Sequence, residues 1–133
     1  MQNRINDHIR SLGIDNNTIG LHIRRTDMTV AIEKSPLHLF ITKIEEELKQ
    51  DPFCHFYVAS DSMEEKQRLK DLFGDKIITV MEPVRRDNEN GIMHAMLDLY
   101  ALAATKKIYG SFYSSFSQLA AQLENKELHI LTI

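Results

Sequence analysis

Thr18-Ile19-Gly20-Leu21-His22-Ile23 runs without a break into Arg24-Arg25-Thr26-Asp27. The first six residues put Ile19, Leu21 and Ile23 on one face, the two-residue period of a strand. The next four deliver two guanidinium groups and a carboxylate from its end. Upstream, Ile5, Ile9 and Leu12 recur at helical spacing and Gly13 stops that segment. Downstream, Ser35-Pro36 is a helix start, a capping hydroxyl followed by proline at the first helical position. Leu37, Phe40, Ile41, Ile44 and Leu48 follow at helical spacing until Asp51-Pro52 ends the run.

The alternation continues to the end of the chain. Cys54 to Ala59 reads as a strand. Asp61 or Ser62 caps a charged helix through Phe73, which Gly74 terminates. Lys76 to Val80 is β-branched and reads as a third strand. Met81 to Asn90 is a polar loop, and Ile92 to Ala104 is an apolar helix expected to be buried on most sides. Lys107 to Gly110 is a fourth strand, Ser114 or Ser115 starts a helix through Leu123, and Leu128 to Ile133 is a last strand. This order predicts an α/β fold, a Rossmann-like parallel sheet of about five strands with helices on both faces. Residues 1–133 form a single domain, with 1–13 as a leading helix. Ligands of such sheets sit beyond the carboxyl ends of the strands, which singles out the loops after Ile23, Ala59 and Gly110.

Composition narrows the function classes. The chain has 133 residues, enough for one core. Its 16 basic and 19 acidic residues give a net charge of −3, which disfavours nucleic acid as a partner. One cysteine, Cys54, excludes an internal disulfide and a cysteine zinc site. No apolar run approaches the ~18–20 residues of a membrane span, and the N-terminus lacks the apolar core of a signal peptide. The expected location is cytoplasmic.

Three stretches carry candidate chemistry. Arg24 and Arg25 can bind phosphate bidentately with a charge that does not titrate, and Asp27 can hold one guanidinium in place. The alternative is a solvated surface ion pair. Gly110-Ser111-Phe112-Tyr113-Ser114-Ser115-Phe116-Ser117 follows a strand and opens a helix, where free N–H groups and serine hydroxyls favour an anion. The alternative there is ordinary N-capping. Asp98 stands in an apolar helix, where a carboxylate needs partners: a structural hydrogen bond to a neighbouring loop, or two N–H donors of a ligand such as the edge of guanine. His22 lies on an inward strand, as a core histidine or a ligand contact. No histidine pair has metal-ligand spacing. Gly-x-Gly-x-x-Gly, a P-loop lysine motif and a Gly-x-Ser-x-Gly elbow are all missing, which disfavours a dinucleotide site, a standard NTP site and a hydrolase triad.

These residues together resemble a known family. His22-Ile23-Arg24-Arg25-Thr26-Asp27 is similar to the His-x-Arg-Arg-x-Asp motif of α1,6-fucosyltransferases, nodulation fucosyltransferases and protein O-fucosyltransferases. Val58-Ala59-Ser60-Asp61 resembles the second motif. Leu97-Asp98-Leu99 with Ile108-Tyr109-Gly110-Ser111 and Ser114-Ser115-Phe116-Ser117 resembles the third. The likeness runs from Ile19 to Leu123; Met28 stands where the family often has lysine.

The resemblance implies the C-terminal, GDP-fucose-binding half of a GT-B glycosyltransferase that inverts configuration and uses neither metal nor cofactor. By that likeness Arg25 and Asp27 are catalytic: Arg25 neutralises the β-phosphate of departing GDP and Asp27 orients the arginine pair. Substrate-binding residues are His22, Arg24, Asp61, Asp98, Ser114, Ser115 and Phe116, with His22 and Asp98 on guanine and the serines and the Phe116 backbone on the diphosphate. The implied partners are a GDP-sugar donor, GDP-fucose first, and a second domain or a second copy of the chain to complete the enzyme. The competing expectation is a nucleotide-binding or interaction module without transfer activity.

Overall fold

All six residues of the strand β1 (Thr18–Ile23) are buried, as expected of a strand with neighbours on both sides and layers above and below. The computed structural model describes residues 7, 11–14, 17–23, 37–60, 62–79, 89–111 and 115–131, with backbone alone for 89–95, 111 and 115–118. Around β1 lie β2 (His55–Ser60), β3 (Ile77–Ile78), β4 (Lys107–Ser111) and β5 (Glu127–Leu131). They form one sheet in the order β3-β2-β1-β4-β5, and every adjacent pair is parallel. Four helices alternate with them: α1 (Leu37–Gln50), α2 (Met63–Phe73), α3 (Glu89–Ala103) and α4 (Ser115–Leu123). Asp7, Ser11 and Leu12 are helical, and Gly13 ends that segment at φ +75°.

The sheet separates two apolar layers. Ile19, Leu21 and Ile23 pack with Phe56 and Val58 against Phe40 and Ile44 of α1 and Leu69 of α2. Tyr57, Ala59 and Ile108 pack on the other face with Ala101 and Leu102 of α3 and Ala120 and Ala121 of α4. The strand order explains the division. Parallel crossovers are right-handed, so connections running outward on opposite sides of β1 put their helices on opposite faces.

Gly20 sets how closely α3 approaches. A Cβ there would come within 2.9 Å of Thr105 Oγ1 and 3.0 Å of Leu102 Cδ2. The Thr105 hydroxyl lies 2.6 Å from the Leu102 carbonyl and fastens the helix end to the turn that enters β4.

The expected alternation holds, with shifted edges. Ser62, not Asp61, caps α2: its hydroxyl accepts from Glu65 N–H at 3.3 Å. Gly74 at φ +61° terminates that helix. β3 is shorter than its β-branched run because Lys76 belongs to the 3₁₀ turn Gly74–Lys76. Beyond β3, the Thr79 hydroxyl donates to the Val58 carbonyl at 2.7 Å rather than continuing the ladder. α3 begins at Glu89, inside the stretch expected to be loop. Among the described side chains of α3, Met96 to Tyr100 are half-buried and Ala101, Leu102 and Ala103 are fully buried. β5 is an edge strand starting at Glu127, with Glu127, His129 and Ile130 exposed.

Candidate functional site

From β1 the chain builds outward through β2 to β3, then returns to the other side of β1 for β4 and β5. The reversal falls between β1 and β4, and in sheets of this kind ligands bind at that point, outside the carboxyl ends of the strands. Cα pairing sets His22 opposite Gly110 at this end. On the other side of β1, His22 pairs with Ala59 and Ile23 with Ser60. The segments entered at Arg24 and at Phe112 therefore leave neighbouring strands on one edge. Arg24, Arg25, Asp27, Asp61 and Ser114 lie outside the described residues. Ser115 and Phe116 form the first turn of α4, described in backbone only.

The helices that start on this edge differ electrostatically. α2 carries Glu64 and Glu65 in its first turn, so its positive dipole end already faces acids. α4 has no acidic residue in its first turn. An anion is thus better received at α4, beside β1, than at α2. Ser60 serves the β2–α2 junction instead: its Oγ accepts from Ser62 N–H at 3.1 Å and anchors the turn.

His22 is 7% exposed. The alternation that buries Leu21 and Ile23 under α1 directs His22 to the opposite face, with Gly20 and Ala59. Asp98 belongs to the same face. It lies one helical turn before Leu102, the residue seated over Gly20. Since α3 returns antiparallel to the strands, Asp98 is displaced from Leu102 toward the carboxyl edge. The Tyr57 hydroxyl donates a hydrogen bond to Asp98 Oδ1. Tyr57 is wholly buried and in register with Gly20. Burial pushes its hydroxyl well above the ordinary value near 10, and the charge and hydrogen bond of Asp98 add to the rise. Both residues expected to read a base thus share one layer, and Asp98 also makes a structural bond, to a strand rather than to a neighbouring loop.

Sequence reasoning missed three features. Tyr57 read as one more apolar strand residue, although a phenol in a core needs a partner. Lys66, in the helix read as charged, is 1% exposed. The third is a polar cluster under α1. There Tyr109 Oη donates to Glu47 Oε1 at 2.5 Å and Lys107 Nζ to the same oxygen at 2.8 Å. Burial pushes Glu47 up, but the bonds from Lys107 and Tyr109 and the nearby lysine charges outweigh it, leaving the carboxyl below its ordinary 4.5. Burial and the Glu47 bond hold the Tyr109 hydroxyl at about 12. Cys54 is buried, and burial with the charge of Asp51 keeps its thiol above the ordinary value, which makes it a poor nucleophile. Among the described residues, no group of three or more His, Cys, Asp or Glu is placed to hold a metal ion. No helix among them is long and apolar enough to cross a membrane.

No family model matches the chain, and no curated protein does. Solved structures do. The α-1,6-fucosyltransferase NodZ co-crystallized with GDP superposes with a TM-score of 0.68 at 22% identity, over 90% of this chain and 39% of that one. NodZ soaked with GDP-fucose gives 0.67 at 24% identity, over 92% of this chain and 41% of that one. POFUT1 in complex with GDP gives 0.63 at 13% identity, over 98% of this chain and 46% of that one. At such identities the likeness shows a shared fold. The chain spans less than half the length of each of these neighbours.

Proposed function

We propose that these residues form the GDP-sugar-binding half of a fucosyltransferase-like enzyme, with GDP-fucose as the first candidate donor. The observation that carries the reading is the reversal of strand order between β1 and β4. It sets the carboxyl ends of β1 and β4 side by side, the strands that lead in sequence into the arginine-bearing and serine-bearing stretches, in a fold shared with fucosyltransferases crystallised with GDP.

The roles follow from the chemistry. His22 and Asp98 meet the guanine: a carboxylate accepts from the ring N1–H and the 2-amino group together. Ser114, Ser115 and the backbone of Phe116 donate to the diphosphate at the start of α4. Asp61 is a further substrate contact at the end of β2. Breaking the glycosyl–phosphate bond leaves negative charge on the β-phosphate. Arg25, aided by Arg24 and oriented by Asp27, stabilises that charge as it develops. Acceptor attack from the opposite side inverts the sugar, and no metal is required when guanidinium groups supply the positive charge. An acceptor-shaping domain, or a second copy of the chain, completes the GT-B enzyme. Transfer is therefore proposed of the assembled enzyme, and donor binding of these residues. A cytoplasmic location is part of the same proposal.

Thermal unfolding with GDP, ADP, UDP and GDP-fucose, with and without EDTA, tests it. Ligand at ~100 times its Kd adds about 2.7 kcal/mol. A GDP-selective, EDTA-insensitive rise in Tm that Arg25→Ala abolishes is expected. No rise with any nucleotide would sink the reading and leave an interaction domain.

A further inference from the structure

Tyr57 belongs to the sheet, whereas Asp98 belongs to a helix laid over it. Of the two, the tyrosine is the fixed point: its ring is fully enclosed among Ala59, Ala101, Leu102 and Ile108, and its backbone is paired on both sides, to Gly20 and to Ile78. A free aspartate side chain rotates about two torsions, and a carboxylate that reads a planar base edge must hold one plane. A hydroxyl donor on a fixed ring selects one arrangement and occupies only one of the roughly four acceptor positions of a carboxylate. Being neutral, it does so without cancelling the charge.

We infer that Tyr57 is the positioning residue for nucleobase selection: its hydroxyl, donated to Asp98 Oδ1, sets the plane in which the Asp98 carboxylate meets the N1–H and 2-amino donors of guanine. This rests on the reading of the chain as a GDP-sugar binder with Asp98 on the base. It predicts that discrimination, rather than overall nucleotide affinity, depends on the phenol.

Inosine diphosphate is the probe, because it keeps N1–H and lacks only the 2-amino group. GDP, inosine diphosphate and UDP are titrated calorimetrically into the wild-type chain, Tyr57→Phe, Asp98→Asn and the double variant. The wild type is expected to prefer GDP to inosine diphosphate by about tenfold, and Tyr57→Phe to lose about fivefold of that preference, the scale of one ordinary net hydrogen bond. UDP affinity should stay unchanged in Tyr57→Phe, and the double variant should discriminate no worse than Asp98→Asn alone. A purely structural bond would instead lower Tm and leave the ratio intact. An unchanged ratio in Tyr57→Phe beside a lost one in Asp98→Asn overturns the inference while the donor-site reading stands. A wild type that does not separate GDP from inosine diphosphate overturns the inference together with the placing of Asp98 on the 2-amino group, and one that binds neither overturns the donor-site reading as well. Should Tyr57→Phe not fold, Asp98→Glu keeps the charge but moves it one methylene from the hydroxyl. The same loss of ratio is expected there, and an intact ratio rejects the positioning role.

Discussion

Two buried tyrosines, one on each face of the sheet, donate to carboxylates carried by helices, and the two pairs are built differently. Under α1, Tyr109 meets Glu47 together with Lys107, so the negative charge is cancelled inside the protein. Glu47 lies in the last turn of α1 and Lys107 opens β4, which puts this cluster toward the amino-terminal end of the sheet. Under α3, Tyr57 meets Asp98 through a neutral hydroxyl, on the face shared with His22 and toward the other end. The first arrangement clasps a helix to a strand. The second holds a carboxylate in place through a neutral donor, an arrangement suited to accepting N–H donors.

The largest way to break the contrast is Lys107→Met. It strips the cation from a nearly buried carboxylate and should cost about 3 kcal/mol in urea unfolding, because the remaining charge is uncompensated. It should leave the ratio of GDP to inosine diphosphate affinity untouched; a changed ratio would mean that both clusters serve one site. Tyr109→Phe should cost about 1 kcal/mol, the net worth of one hydrogen bond, again with no change in base preference.

The pH profile sharpens the same comparison. Glu47 titrates below its ordinary 4.5 when folded, so its contribution is complete above that value and is lost as pH falls through the folded pKa. Glu47→Gln should flatten the acid limb of stability against pH. Tyr109 titrates at about 12 when folded against about 10 when unfolded, so its contribution is complete below 10 and disappears as pH rises between the two. Tyr109→Phe should flatten the alkaline limb, leaving the rise at Tyr57 as the residual slope. The smallest effect belongs to His129, half-exposed and paired with exposed Glu127 at 3.2 Å. His129→Ala should shift stability by less than about 0.5 kcal/mol in the same unfolding experiment.

The order of elements was legible because each rests on local chemistry: alternation in Thr18–Ile23, the cap at Ser62, the stop at Gly74. Edges were less legible where a neighbour decides them. Lys76 looks like strand by sequence, yet the turn after Gly74 claims it, and its ammonium reaches back to the Pro52 carbonyl. Asp98 stood out because a carboxylate in an apolar helix demands an explanation. Tyr57, its partner 41 residues away, did not, because an aromatic residue in a strand satisfies every pattern rule. Glu47 and Tyr109, 62 residues apart, were hidden for the same reason. Polar contacts between layers depend on the stacking of α1 and α3 on the sheet, which periodicity alone does not encode. A usable signal existed: a phenol and a carboxylate, each out of place in its own apolar segment, are candidates for each other.

The hydrogen that stands for a side chain at Gly20 acts as a gauge block between two halves of a binding surface. On the proposed reading, the base is met from α3 and the diphosphate from the strands and the start of α4. How far apart the two lie depends in part on how closely Leu102 and Thr105 settle onto β1 at Gly20. A single methyl at that position would lift α3 by a few tenths of an ångström and offset one end of the ruler from the other, with no ligand-touching atom replaced. Calibration of the site therefore resides in a residue that has nothing to offer a ligand.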